Sequence, residues 1–131
     1  DLALARAEAA FELAPGATEN WIFVSSYLLT ERASPAREAN AEQRRIWVRA
    51  ALVIAERGER CAFDPGELAL WQGLVLIHTA DVDPQLPWSD GVRGMWNDAA
   101  LCFERAAGYG SREALWLAEQ ARAQAAAIEG D

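Results

Sequence analysis

The sequence predicts an all-α fold, antiparallel helix pairs stacked as a short α-solenoid of about six helices, and three observations predict it. Apolar residues recur at helical spacing through nearly every segment, strict apolar/polar alternation over strand length is absent, and alanine, the strongest helix former, is abundant. At 131 residues and 52% hydrophobic composition, residues 1–131 fit one domain with a substantial core and are too few for two. Short links between the expected helices place consecutive ones side by side.

The first helix is expected from about Leu2 to Ala14, with Leu4, Ala7, Phe11 and Ala14 on one side, and Pro15-Gly16 ends it. Thr18 is expected to cap a second helix that turns Trp21, Val24, Ser25, Leu28 and Leu29 inward and gives out near Ala33. Ser34-Pro35 then restarts the chain, because proline at the first helical position has no amide hydrogen to lose. The third helix is long. Its first half is charged, its second half presents Ile46, Trp47, Ala50, Val53 and Ile54, and Gly58 supplies a left-handed stop.

Asp64-Pro65-Gly66-Glu67 is a capping box with proline in the first turn, the strongest helix start in the chain. The fourth helix that follows is apolar nearly all round, interrupted by Gln72, Gly73 and His78, so it belongs at the centre. Asp81 to Gly91 holds two prolines, one glycine and three Asp, which makes it a surface loop. The fifth helix presents Met95, Trp96, Ala99, Ala100, Phe103 and Ala106. Gly108-Tyr109-Gly110 breaks it, and Ser111 caps a sixth helix that ends around Gly130.

Charge excludes some functions. All 12 cationic residues are Arg against 20 acidic ones, a formal net charge of −8, and the cations gather nowhere in the sequence, so no nucleic-acid partner is expected. The longest apolar run, Leu68 to Ile77, is about half the ~20 residues a membrane helix requires. A soluble chain without membrane insertion is expected. The opening stretch carries Arg6 and Glu8 and has no secretory-signal character. Cys61 and Cys102 lie far apart without metal-type spacing, so zinc is not expected, while a disulfide and the compartment, cytoplasmic or periplasmic, stay open.

No catalytic, cofactor or metal residue stands out. His78 is the only histidine and has no Ser or Cys at motif spacing. Asp81-Val-Asp83 begins like a calcium loop, but Gln85, Leu86 and Val92 stand where that loop needs other groups. Gly91-Val-Arg-Gly94 lacks a preceding strand and a phosphate-binding Lys. The rival to a binding function is a small helical enzyme or ligand-binding domain using His78 and the Asp81-Gly91 loop, with Asp81 or Asp83 beside the histidine. Of the six Trp, Trp21, Trp47, Trp71 and Trp96 are expected to fill space between helices, while Trp88 and Trp116 are candidates for exposed anchors of a partner or of a next repeat.

Trp21, Trp71 and Trp116 recur near the starts of alternate helices, at intervals of 50 and 45 residues. Trp21-x2-Val24-Ser25-x2-Leu28 and Trp71-x2-Leu74-Val75-x2-His78 resemble the first helix of a tetratricopeptide repeat, and Ala99-x3-Phe103-x2-Ala106 resembles its second. The stretch from Ala99 to Trp116, with its Phe-Glu-Arg-Ala-Ala end and Gly turn, is similar to the Sel-one-like branch of that superfamily. Ser25 and Val75 stand where the pattern usually has Gly.

The resemblance implies a non-catalytic protein–protein interaction scaffold, without cofactor, cut from a longer array. Its even-numbered helices would line a concave face that receives a peptide or protein partner. Carried over with Trp21 and Trp71 as registers, Glu19, Ile22, Phe23 and Ser26, then Ala69, Gln72, Gly73 and Leu76, would face that groove. The acidic balance implies a basic or neutral partner. Immunity proteins that neutralise a toxin and secretion-associated chaperones share this fold, and terminal helices of such arrays can self-associate.

Overall fold

The structure, a computed structural model, describes residues 2–128. Within them the chain is all-helical: α1 (Leu2–Leu13), α2 (Thr18–Glu31), α3 (Ala41–Cys61), α4 (Pro65–Val82), α5 (Gly91–Gly108) and α6 (Arg112–Ala127). Each helix packs on the next in sequence, α2 also touches α4, and the most extensive associations are α4 with α5 and α5 with α6. The side chains of Leu4 and Ala7 and the expected end at Gly130 lie outside the described residues. No described helix is long and apolar enough to cross a membrane.

Caps decide several boundaries. Asp64 accepts the Glu67 amide at 3.0 Å and Ser111 accepts the Ala114 amide at 3.2 Å, as their sequences require. Thr18 does not cap α2. It is the first helical residue, and its hydroxyl accepts the Asp64 amide at 3.2 Å, while the Phe63 amide donates to the Gly16 carbonyl at 2.8 Å. The turn before α2 is thereby tied to the turn before α4.

The third helix starts at Ala41 and not at Pro35. Ser34 to Asn40 form turns in which the Ser34 carbonyl accepts the Arg37 and Glu38 amides, and Asn40 caps α3 by accepting the Gln43 amide at 2.9 Å. Arg44 reinforces the start by donating to the Glu38 and Ala39 carbonyls. Gly58 is not a terminator either, since α3 continues to Cys61. A Cβ at Gly58 would stand 2.5 Å from Cγ of Trp21, so glycine is there for close approach.

The inward face of α3 also differs from expectation. Val48, Ala51, Ala55 and Gly58 are buried, Trp47, Ala50 and Ile54 are half-buried, and Ile46 and Val53 are exposed. Small residues take the seam because it is where α3 comes nearest its neighbours, and the bulky ones flank it. In the 83–90 loop, Leu86 is buried with Ala33, Val48, Ala80 and Met95, pinning a segment expected to be wholly superficial. The alanine face of α6, Ala114, Ala118, Ala121 and Ala125, packs inward.

The same burial pattern recurs on the even-numbered helices. Trp21, Val24, Ser25 and Leu28 of α2 are buried, and so are Ala69, Gln72, Gly73 and Leu76 of α4 at the same spacing, 48 residues on. In α6, Ala114, Ala118 and Ala121 are buried and Leu117 half-buried, a further 45 residues on. The partner helices keep step, with Ala51, Ala55 and Gly58 of α3 matched by Ala99, Phe103 and Ala106 of α5. The bulky residue changes sides. In the first hairpin Trp21 of α2 lies on Gly58 of α3, whereas in the second Phe103 of α5 lies on Gly73 of α4, where a Cβ would stand 2.3 Å from its ring. Each seam thus pairs one large side chain with one glycine.

Candidate partner-binding surfaces

The residues expected to share one groove separate. On α2, Glu19 and Phe23 are exposed and Ile22 and Ser26 half-buried, so this set lies at the surface. On α4, Ala69, Gln72, Gly73 and Leu76 are buried, with Phe103 lying on Gly73. The reason is register. The small residue that lets α4 meet its partner is Gly73 and not Val75, so the sequence alignment on Trp71 is two residues out, and two residues turn a helix face by about 200°.

Aligned on the buried stripe, the positions of Glu19, Ile22, Phe23 and Ser26 become Glu67, Leu70, Trp71 and Leu74 in α4, and Arg112, Leu115, Trp116 and Glu119 in α6. These lie on the sides of the even-numbered helices turned away from the buried stripes. Phe23 is 56% exposed, Leu115 56% and Trp116 59%, with Leu74 also exposed and Ile22, Leu70 and Trp71 half-buried. Trp71 is partly covered because its indole N–H donates to Ser25 Oγ at 2.8 Å, and that hydroxyl donates in turn to the Ala51 carbonyl at 2.8 Å, joining α2, α3 and α4. The equivalent aromatics are thus Phe23, Trp71 and Trp116. Trp21, by contrast, is buried, stacked on Phe11 at 4.0 Å between ring centroids. Sequence reasoning missed Leu70, Trp71, Leu74 and Leu115, and aligning Ser25 with Gly73 would have found them.

Between the N-terminal ends of α4 and α6, this side of the molecule holds a pocket of about 380 Å³ lined by Glu67, Leu70, Tyr109 and Ser111 among others. The charges at the matched positions are Glu19, Glu67 and Glu119 against Arg112, so the apolar row has an acidic border.

The odd-numbered helices carry a different surface. A cleft of about 540 Å³ runs between α3 and α5, with Gln72 and Leu76 of α4 among its lining. At one end Glu59, whose side chain is 9% exposed, accepts from Gln72 Nε2 at 2.7 Å, from Tyr109 Oη at 3.2 Å and from Arg105 at 3.3 Å. Arg105 also donates to Gln72 Oε1 at 3.0 Å. Burial is the largest single influence on Arg105 and disfavours its charge, but its interactions with Glu59 and Cys102 together outweigh this and raise its proton affinity. Burial pushes the Cys102 thiol upward, so it stays protonated at neutral pH. At the other end the Arg49 guanidinium lies 4.2 Å from the Trp88 ring centroid, and the Trp88 indole N–H donates to Asp98 at 2.9 Å. Trp88 is therefore a half-buried wall of this cleft, and Trp116 an exposed aromatic of the other surface.

His78 is exposed at the edge of a third, mostly apolar hollow of about 320 Å³ between the ends of α2 and α4. Asp83 lines the same hollow. Its carboxylate accepts Arg44 Nε at 2.8 Å, both side chains 12% exposed, which clamps the end of α4 to the start of α3. Asp81 is exposed. Among the described residues no three His, Cys, Asp or Glu side chains converge as metal ligands do, and both cysteines are free, Cys61 exposed and Cys102 buried.

Comparison with protein-family models, characterised proteins and solved structures returns no match.

Proposed function

We propose that the chain is a non-catalytic interaction scaffold of the tetratricopeptide kind, which receives a partner on the face formed by α2, α4 and α6. The single observation that carries this reading is the row of aromatics at one repeated position, Phe23, Trp71 and Trp116, flanked by Ile22, Leu70 and Leu115 at the position before it. Two of the three aromatics are more than half exposed. Bulky apolar groups recurring at matched positions on successive helices make a contiguous surface, which folding alone gives no reason to leave uncovered. The acidic border and the net charge of −8 favour an apolar partner segment with basic flanks. Trp116 is the natural anchor, since a half-exposed indole offers the largest area to bury.

The test uses a displayed-peptide library selected on the protein. Selected peptides are expected to be apolar with Lys or Arg flanks and to lose binding to the Phe23→Ser, Trp116→Ser variant, whose changes fall on exposed positions. Binders that retain full affinity for that variant would remove this face from the mechanism. The enzyme reading predicts that turnover of some small substrate disappears in His78→Ala at unchanged stability. It has less support, because of the two acids expected beside His78, Asp83 is committed to Arg44 and Asp81 is exposed.

A further inference from the structure

Trp71 and Trp116 occupy one repeated position, yet Trp71 is half-buried and Trp116 is 59% exposed. The cover of Trp71 comes from the preceding helix of the row, where Ser25 accepts its indole N–H and donates in turn to the Ala51 carbonyl. Trp116 also has a preceding helix, α4, but the position matched to Ser25 is Gly73, which carries no hydroxyl. The neighbouring helix differs in the same sense. Ala55 of α3, fully buried, leaves the Ser25 side chain its room. At the matched position of α5 stands Phe103, whose ring lies 2.3 Å from where a Cβ at Gly73 would be. The acceptor for Trp116 is missing, and its space is filled. Helix spacing agrees, because α2 and α4 touch, whereas α4 and α6 make no comparable approach among the described residues. Between the N-terminal ends of α4 and α6 lies instead the pocket of about 380 Å³ lined by Glu67, Leu70, Tyr109 and Ser111 among others.

We propose that Phe103, itself buried, is a positioning residue for the partner-binding face, holding Trp116 out toward solvent and α4 apart from α6. The inference rests on the reading of α2, α4 and α6 as that face, and it names what sets the face's anchor. One pair of seam residues decides each step of the row. A hydroxyl beside a small residue, Ser25 with Ala55, draws the next tryptophan in and closes the step. A glycine beside a ring, Gly73 with Phe103, releases the next tryptophan and leaves the step open. Phe103 supplies the interior volume that Trp116 then does not have to fill, so the indole keeps its area for a partner.

The experiment follows exchange of the Trp71 and Trp116 indole N–H protons with water by nuclear magnetic resonance. The wild type is compared with Ser25→Gly and with the double variant Gly73→Ser, Phe103→Ala. The double variant builds at the second step the arrangement found at the first, and its Trp116 proton should exchange about tenfold more slowly. Ser25→Gly removes that arrangement from the first step, so the Trp71 proton should exchange about tenfold faster while Trp116 is unchanged. Exchange of Trp116 at the wild-type rate in a folded double variant overturns the proposal. Unchanged exchange of Trp71 in Ser25→Gly also overturns it, and that variant decides alone if the cavity left by Phe103→Ala prevents folding. Peptides selected on the wild type should bind the double variant about tenfold more weakly, although every residue of the face is retained. Slowed Trp116 exchange with undiminished binding would support the role of Phe103 and count against the face, so the two failures are told apart.

Discussion

The Phe103 ring occupies the space that a side chain at Gly73 would fill, since a Cβ there would stand 2.3 Å from Cε1. The contact holds α4 and α5 together at the centre of the molecule. Gly73→Ala should destabilise the fold by about 1–3 kcal/mol through overpacking, despite the better helix propensity of alanine. Phe103→Leu in the same chain should recover part of that loss. Urea denaturation of the two single variants and the double variant checks this, and additive costs would mean that the two positions do not share one space.

Ser25 is the hinge of three helices, accepting from Trp71 and donating to Ala51. Ser25→Ala should cost about 1–3 kcal/mol, because the Trp71 indole N–H loses its acceptor in a partly covered site. Trp71→Phe removes the orphaned donor, so adding it to Ser25→Ala should cost less than it does in the wild-type chain. Thermal melts of the set decide it.

The two thiols should separate in a reagent titration. Cys61 is exposed and should react within the first fast phase, whereas Cys102, buried and with its ionisation pushed upward chiefly by that burial, should react only as the chain opens. The raised ionisation also has a linkage consequence. Above the ordinary thiol value of 9.0 the unfolded chain releases the Cys102 proton while the folded chain keeps it, so stability should fall as pH rises through that point and be unaffected below it. Urea midpoints for Cys102→Ala should show a shallower alkaline fall than the wild type.

Asn40 sets the start of α3. Asn40→Ala should cost about 1 kcal/mol, whereas Pro35→Ala, in the exposed turn six residues before Ala41, should change stability by less than about 0.5 kcal/mol. A larger effect at Pro35 would place the helix start where the sequence alone puts it.

Much of the architecture was legible because helix signals are local. The Asp64 and Ser111 caps, the inward set of α2 and the apolar belt of α4 each rest on residues within one or two turns. What escaped depended on partners far along the chain. Ser34-Pro35 looks like a helix start, yet Asn40 and Arg44 provide a better one with their own hydrogen bonds. Gly58 looks like a stop only until Trp21, 37 residues earlier, is seen to lie on it. The two-residue error at Trp71 has the same origin: indoles are conspicuous in a sequence, but the seam is governed by which residue is small. Trp21 and Ala69 occupy equivalent places, and nothing local tells a tryptophan from an alanine whose missing bulk is supplied across the seam by Phe103.

The paired turns ahead of α2 and α4 behave as a clasp. The Phe63 ring is 90% exposed yet lies over Gly16, where a Cβ would stand 2.6 Å from its Cζ, while its own amide is bound to the Gly16 carbonyl and the next one, at Asp64, to Thr18. Isotope exchange should therefore find slow amide protons in a stretch that any accessibility map would class as loose, and cleavage near Gly16 would have to wait for the two links to part at once.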